Sequence, residues 1–236
     1  MDFLIMIPAR GGSKGIKKKN IYPINGKPMI YYTLEILDKV DWRGDVVISS
    51  DSDEILKTAI KITREKKNYY SVKRPQKYST DEASTDDVAI HAVSYMKETY
   101  NKEYDAIITM APNLPLRTTK MFIQCVQSFE NMPEEFDSQV CFFRTDEDMW
   151  IKKENNEFVR LFPNAPRRRQ DREPLYVEKG SMTITKISKL IETGSVWGNR
   201  VHGYEIDELS GIDVHDENDI HYLEYMIKEV YDIKNN

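Results

Sequence analysis

The chain has 236 residues, of which 40% are hydrophobic and 31% are charged, and its formal net charge is −5. This length fits one large domain with a packed core, and the acidic balance weighs against nucleic-acid binding through a strongly basic surface. Its 2 cysteines are too few for a disulfide framework or a four-ligand zinc site, and no apolar run approaches the roughly 20 residues that cross a bilayer.

The first half of the chain alternates short apolar runs with amphipathic ones. In chain order, strands are predicted at 3–8, 45–50, 69–72 and 105–112, and helices at 29–40, 52–66, 84–100 and 119–130. Ser52 is a candidate N-cap of the second helix, and Ser84 or Thr85 of the third. Strands and helices that alternate at this spacing predict βαβ units and a mostly parallel sheet.

The second half has a different pattern. A strand is predicted at 138–145, whereas residues 148–185 mix strand-like runs with turns and indicate an excursion from the sheet. Residues 204–219 return to a strand and an acidic turn, and residues 220–230 have the periodicity of a final amphipathic helix. No internal repeat or low-complexity linker divides the chain.

The loop after the first predicted strand combines glycines with cations. Three glycines between residues 11 and 15 let the backbone approach a ligand, and successive N–H groups in such a loop can bind an anion. Arg10 can grip phosphate oxygens bidentately, while Lys14 and Lys19 act as point charges. Parallel sheets bind ligands beyond the carboxyl ends of their strands, so a phosphate site is favoured over a solvated basic loop. Neither the GxGxxG nor the GK[ST] fingerprint is present.

Motifs extend along nearly the whole chain: IPARGGSKGIKKKNI (7–21), GKPMIYYTLE (26–35), VVISSDSDEI (46–55), RPQKYSTDEASTDD (74–87), PNLPLRT (112–118), RRQDREPLYVEKGS (168–181) and GIDVHDENDI (211–220). In order and spacing they resemble the CMP-N-acylneuraminate synthetases, the cytidylyltransferase family that activates sialic acid and related nine-carbon keto acids.

The resemblance implies an α/β fold of the Rossmann-like, nucleotide-diphospho-sugar transferase type, with helices on both faces of a mostly parallel sheet. It implies a single domain over residues 1–236, in which approximately 140–185 form a protruding arm that helps complete the active site of a partner in a homodimer. It also implies the reaction: CTP joins a 2-keto-3-deoxy sugar acid, which gives a CMP-sugar and pyrophosphate.

Residue roles follow from the same resemblance. Arg10, Lys19 and Asp213 are expected at the reacting phosphates. The expected nucleotide-binding residues are Arg10, Gly11, Lys14, Lys19, Asn20, Arg74, Ala83 and Thr85. Arg117 is expected to support its loop.

The metal and acceptor sites are expected in the later motifs. Asp213 matches the first of two metal-binding aspartates, but His215 stands at the second position, so the expected cofactor is Mg²⁺ or, with an imidazole ligand, Mn²⁺. The expected acceptor-binding residues are Ala111, Arg169, Gln170 and Lys179.

Departures from the family pattern cluster where the acceptor would lie: Ala111, Asn113-Leu114 and Lys179-Gly180-Ser181. They indicate an acceptor other than plain N-acetylneuraminate. Three alternatives remain open: a sugar 1-phosphate acceptor or another nucleotide, a catalytically impaired nucleotide-binding protein, and nucleic-acid binding through the basic runs 17–19 and 167–169. The expected partners are CTP and a small acidic sugar, with no nucleic acid or membrane, and the expected location is the cytoplasm.

Overall fold

A computed structural model describes residues 1–13, 15–64, 68–80 and 82–231. The strands are β1 (Phe3–Pro8), β2 (Pro23–Ile24), β3 (Lys27–Pro28), β4 (Gly44–Ser50), β5 (Tyr69–Lys73), β6 (Ala106–Thr109), β7 (Ser138–Thr145), β8 (Trp150–Lys152), β9 (Phe158–Arg160), β10 (Leu175–Lys186) and β11 (Val201–Glu205). The helices are α1 (Met29–Lys39), α2 (Asp53–Thr63), α3 (Thr85–Tyr100), α4 (Thr119–Glu130), α5 (Ile187–Thr193) and α6 (Glu217–Met226).

The central sheet contains seven of the described strands in the order β11-β7-β10-β6-β1-β4-β5. β1 pairs in parallel with β4 and β6, and β5 pairs in parallel with β4. β10 runs antiparallel to both β6 and β7, and β11 is parallel to β7. The predicted mostly parallel sheet flanked by helices is therefore confirmed.

β1 is apolar throughout because both of its faces are buried. Phe3, Ile5 and Ile7 join a core cluster with α1, α2 and α4 on one face. Leu4 and Met6 join a second cluster with α3 and α5 on the other face. Short loops at the carboxyl end of this buried strand are thus held on a rigid base.

The predicted helix starts are also confirmed. The Ser52 hydroxyl accepts the Ile55 N–H, and the Ser84 hydroxyl accepts the Asp87 N–H, so each serine caps the helix that follows it. The predicted end of the second helix at residue 66 lies outside the described residues.

A third apolar cluster connects distant parts of the sequence. Ile16 from the glycine-rich loop is 2% exposed and Val214 from the acidic turn is fully buried, and both pack with Leu223 of α6. Because one cluster contains all three segments, burial of apolar surface holds the glycine-rich loop and the acidic turn together.

Some elements differ from the prediction. The strand predicted at 105–112 ends at Thr109, and a turn follows at Pro112 and Asn113. The sequence pattern did not reveal the short hairpin β2–β3 or the helix α5, which is only 7 residues long and buries Leu190. None of the described helices is long and apolar enough to cross a membrane.

Residues 146–174, between β7 and β10, form the segment that we call the arm. It is narrower than the predicted 140–185, because the outer residues of that range belong to the central sheet. Its strands β8 and β9 form a separate two-stranded sheet. Asp148 ties the arm together: its carboxylate accepts from Arg160 Nε at 2.8 and 3.0 Å and from Arg172 at 3.2 Å.

Candidate functional site

A cavity of about 520 Å³ opens at the carboxyl ends of β1, β5 and β6. This is where open parallel sheets bind ligands. Its walls come from the glycine-rich loop, the loop before α3, the loop after β6 and the acidic turn. The lining residues are Pro8, Arg10, Ser13, Gly15, Lys19, Asn20, Arg74, Tyr78, Thr80, Ala83, Ser84, Thr85, Val88, Ala111, Pro112, Asn113 and His215.

The glycine-rich loop is fixed by hydrogen bonds at both ends. The Gly11 N–H donates to Asp51 Oδ1 at 2.7 Å, and Asn20 Nδ2 donates to the Arg10 carbonyl at 2.8 Å. Asn20 is buried, so these contacts hold the loop in one shape. The backbone of Arg10 is therefore fixed by the bond from Asn20, and Arg10 lines the cavity from this position.

Gly15 brings the loop against the acidic turn. A Cβ atom added at Gly15 would lie 2.1 Å from the His215 carbonyl oxygen, a distance that allows no side chain. Lys19 strengthens the contact, since its ammonium donates to the Val214 carbonyl at 2.7 Å. The glycine-rich loop and the acidic turn therefore share one cavity.

Asp213 lies in the acidic turn, and Asn113 holds it. Asn113 Nδ2 donates to Asp213 Oδ1 at 2.5 Å, and the Asn113 carbonyl accepts the Val214 N–H at 3.0 Å. His215 Nε2 lies 3.5 Å from the other oxygen, Asp213 Oδ2. The Asn113 amide thus orients the carboxylate, and the His215 imidazole lies beside its other oxygen.

Arg74 is buried directly after β5, where the loop before α3 begins. Its guanidinium donates to the Ser49 hydroxyl at 3.1 Å and to the Ser49 carbonyl at 2.7 Å. Burial lowers its pKa, nearby Asp51 raises it, and Arg10 lowers it further. An arginine keeps its proton under such shifts, so Arg74 gives the cavity a fixed positive charge with limited freedom to move.

Arg117 is fully buried and supports the walls, as the sequence led us to expect. It donates to the Ser181 carbonyl at 2.5 Å, to the Thr33 hydroxyl at 2.7 Å and to the Ala111 carbonyl at 2.5 Å. These bonds join the loop after β6 and the middle of β10 to α1. Arg117 therefore positions Ala111 rather than facing the cavity itself.

The structure brings most of the predicted site residues together. Arg10, Lys19, Asn20, Arg74, Ala83, Thr85, Ala111 and His215 line the cavity. Gly11 follows the lining residue Arg10 in the chain, and Asp213 is hydrogen-bonded to the lining residue Asn113. Lys14 lies outside the described residues.

The remaining predicted acceptor residues lie elsewhere in a single chain. Arg169 is on the arm, where its Nε lies 3.3 Å from Asp146, and Gln170 follows it in the same short turn. Lys179 lines neither the large cavity nor the smaller one beside it, and its ammonium lies 5.8 Å from the centre of the Phe143 ring. Lys179 is exposed on β10.

Two residues at the site were not predicted to act there. Asn113 stood out in the sequence only as a departure from the family pattern, and the structure gives it the role of orienting Asp213. Asp51 follows the buried strand β4, and that position at a strand end was the signal available for it.

Comparisons with known proteins show which proteins this chain is similar to. A family model described as cytidylyltransferase matches residues 4–100. The chain is 30% identical over 229 residues to post-translational flagellin modification protein B of Campylobacter coli, across 97% of this chain and 96% of the relative. It is 24% identical over 219 residues to the N-acylneuraminate cytidylyltransferase of Escherichia coli, across 92% of this chain. That alignment covers 50% of the relative, so this chain spans about half of its length.

The fold is similar to that of a solved CMP:2-keto-3-deoxy-manno-octonic acid synthetase in complex with CTP. The TM-score is 0.66 at 15% identity, and the alignment covers 97% of this chain and 99% of the other. At that identity the likeness concerns the fold.

Proposed function

Because the chain belongs to the N-acylneuraminate cytidylyltransferase family, we propose that it transfers the CMP group of CTP to a 2-keto-3-deoxy sugar acid and releases pyrophosphate. The observation that carries this proposal is the charge of the large cavity. Arg10 and Lys19 of the glycine-rich loop line it together with Arg74, which follows β5, while no carboxylate is among its described lining residues. A triphosphate is an anion of the right charge for such a cavity.

The reaction needs positioning more than covalent chemistry by the protein. The anomeric hydroxyl of the acid attacks the α-phosphorus, and a new P–O bond forms. The bond from the α-phosphorus to the bridging oxygen breaks, its electron pair leaves with pyrophosphate, and the hydroxyl proton is released. Arg10 and Lys19 are placed to neutralise the charge that develops on the phosphate oxygens.

The base end of the nucleotide is assigned to the loop before α3. Arg74, Ala83 and Thr85 line the cavity from the segment between β5 and α3, and Ser49 anchors Arg74. A buried, anchored guanidinium costs little further ordering when it meets a cytosine carbonyl. This arrangement supports CTP as the nucleotide.

The donor set at the acidic turn fits a divalent metal that is held mostly by the substrate. Asp213 offers a carboxylate that is 16% exposed, with Asn113 and His215 beside it. Among the residues that the structure describes, no group of three or more His, Cys, Asp or Glu side chains encloses a metal position. Mg²⁺ is commonly bound by one or two carboxylates with water and substrate phosphates. We therefore assign Asp213 and His215 to Mg²⁺ or Mn²⁺, which would supply positive charge at the leaving phosphates.

The arm supports a homodimer. Its apolar residues Trp150, Ile151 and Phe158 are 54%, 45% and 58% exposed, although a separate hairpin in water gains little from its own packing. A second copy of the chain is the proposed cover for this surface. In that dimer, Arg169 and Gln170 of one arm would reach the acceptor end of the other subunit's cavity.

The test is a matrix of the four nucleoside triphosphates against N-acetylneuraminic acid, other nine-carbon keto acids, an eight-carbon keto acid and sugar 1-phosphates. Pyrophosphate release is measured with Mg²⁺, with Mn²⁺ and with a chelator. We expect release with CTP and a keto acid when metal is present. Release with sugar 1-phosphates alone would favour the alternative acceptor class, and CTP binding without release would indicate an impaired enzyme.

A further inference from the structure

A second cavity, of about 290 Å³, adjoins the large one. The two cavities share the lining residues Pro8, Thr85 and Ala111, so a molecule bound in one can extend into the other. The remaining walls of the smaller cavity come from the end of β6, from β10, from the start of α3 and from the loop after α5. We call this smaller cavity the side chamber.

The side chamber lies next to the second core cluster, and threonine hydroxyl groups line it on that side. Along β6, Ile107 packs in that cluster, and the next residue on the same face, Thr109, lines the chamber. Thr183 of β10 is the direct antiparallel partner of Thr109 and lines it too. Thr109 is 8% exposed, and its hydroxyl oxygen makes no hydrogen bond to any described residue. A buried hydroxyl of this kind is suited to a polar ligand group.

Two carboxylates also line the chamber. Asp86 accepts the Val196 N–H at 2.7 Å, and this bond holds the loop that carries Trp197 against α3. Glu178 accepts the Gly180 N–H, and Gly180, which also lines the chamber, has a φ of 69° that glycine adopts readily. No lysine or arginine is among the described residues that line the chamber. Its charge is therefore opposite to that of the large cavity.

We propose that the side chamber binds the end of the acceptor that is remote from its carboxylate, through hydroxyl or amide N–H groups that donate to Glu178 and Thr109. This inference rests on the proposed function. An acid that enters two joined cavities of opposite charge is oriented by them: its carboxylate stays near the cations, and its uncharged, donor-bearing end enters the acidic chamber. Trp197 offers an apolar wall for a methyl group on that end.

The assignment differs from the one that the sequence suggested. The motif pointed to Lys179, a cation, as the residue that meets the acceptor, whereas the chamber is lined by the neighbouring carboxylate of Glu178. The two residues predict opposite preferences. A cationic wall would favour acceptors with an extra anion, and an acidic wall disfavours them.

Glu178→Gln tests the proposal because it removes the charge with little change in shape. Three acceptors are compared by pyrophosphate release with CTP: the nine-carbon keto acid that the matrix above identifies as the best substrate, its 9-amino-9-deoxy analogue and its 9-phosphate. We expect KM for that keto acid to rise about tenfold in Glu178→Gln, and about threefold in the isosteric Thr109→Val, because each loses a hydrogen-bond partner. KM for CTP should stay within about twofold. The exposed Glu98→Gln on α3 is the matched control.

The charged analogues sharpen the result. The 9-amino compound should lose more than its parent in Glu178→Gln, whereas the 9-phosphate should be a poor substrate for the wild type and a better one for the variant. Unchanged acceptor KM values, or equal changes in KM for CTP and for the acid, would overturn the side chamber alone. If the wild type releases no pyrophosphate with any acid, the proposed function fails and this inference fails with it.

Discussion

The large cavity is lined by polar side chains of a single chain, whereas the arm exposes apolar side chains to solvent. At the cavity, buried residues such as Ile16 and Val214 hold two loops in contact, and the polar side chains face inward. On the arm, Trp150 and Phe158 are more than half exposed while Asp148 and its arginines hold the chain in shape. The residues of the proposed nucleotide site thus come from a single chain, whereas the exposed apolar residues of the arm are the surface for which we propose a second copy of the chain as cover.

Arg10→Ala is the strongest way to break this comparison. Arg10 lines the cavity where the phosphates are proposed to bind, and removing a preorganised donor of this kind typically costs about 10²–10³-fold in kcat. We expect that loss in pyrophosphate release, with an unchanged oligomeric state. Lys17→Ala is the control, since Lys17 is exposed beside the same loop and does not line the cavity. Equal losses in both variants would mean that only the general charge of the loop matters.

Gly15→Ala breaks the contact between the glycine-rich loop and the acidic turn without removing any charge. The added Cβ would lie 2.1 Å from the His215 carbonyl oxygen, so one segment must move away. A displacement of about 1 Å at reacting groups costs on the order of 10²-fold, and we expect a loss approaching that in kcat/KM.

Gly12→Ala is the matched control for Gly15→Ala. An added Cβ at Gly12 meets no described atom within 4 Å, and its activity should stay within about twofold of wild type. A silent Gly15→Ala would contradict the claim that close contact between the two segments is needed.

The sequence was enough for those features that depend on neighbouring residues. Apolar runs and serine caps located β1, α2 and α3, and the position of the glycine-rich loop after β1 located the cavity. The pairing of strands that are distant in the sequence could not be predicted from such local patterns. β10 enters the sheet antiparallel between β6 and β7, and an irregularity in its register between Glu178 and Thr183 breaks the simple alternation. The sequence therefore gave no basis for choosing Glu178 over Lys179 as the inward-facing residue.

The contact between the glycine-rich loop and the acidic turn was likewise beyond local patterns. Ile16 and Val214 are separated by most of the chain, and neither stands in a periodic segment. Only the folded sheet brings them into one cluster. A family resemblance could suggest that both segments serve one site, but it did not supply the apolar contact that holds them.

The double variant Trp150→Ser/Phe158→Ser tests the arm side of the comparison. Burial of each aromatic side chain contributes about 1.5–3 kcal/mol, so losing both should weaken a dimer by about 10²-fold or more in Kd. Sedimentation equilibrium measures the change. Tyr225→Ser is the control, because Tyr225 is 61% exposed on α6, away from the arm. A wild-type chain that sediments as a monomer at micromolar concentration would refute the homodimer.

The smallest expected effect comes from His215→Asp, which sharpens the metal side of the cavity. An imidazole is a poor ligand for Mg²⁺ and suits Mn²⁺ better, whereas a second carboxylate beside Asp213 suits Mg²⁺. We therefore expect the ratio of Mg²⁺-supported to Mn²⁺-supported kcat/KM to rise by about threefold or more, with Mg²⁺ activity retained or increased. The variant keeps the His215 backbone, whose carbonyl contacts Gly15, so the loop geometry should not change.

Asp213→Asn is the companion variant and should lose activity with both metals, since it removes the carboxylate that Asn113 orients. If Asp213→Asn releases pyrophosphate at the wild-type rate, the acidic turn is not the metal site, and its contact with the glycine-rich loop is only structural.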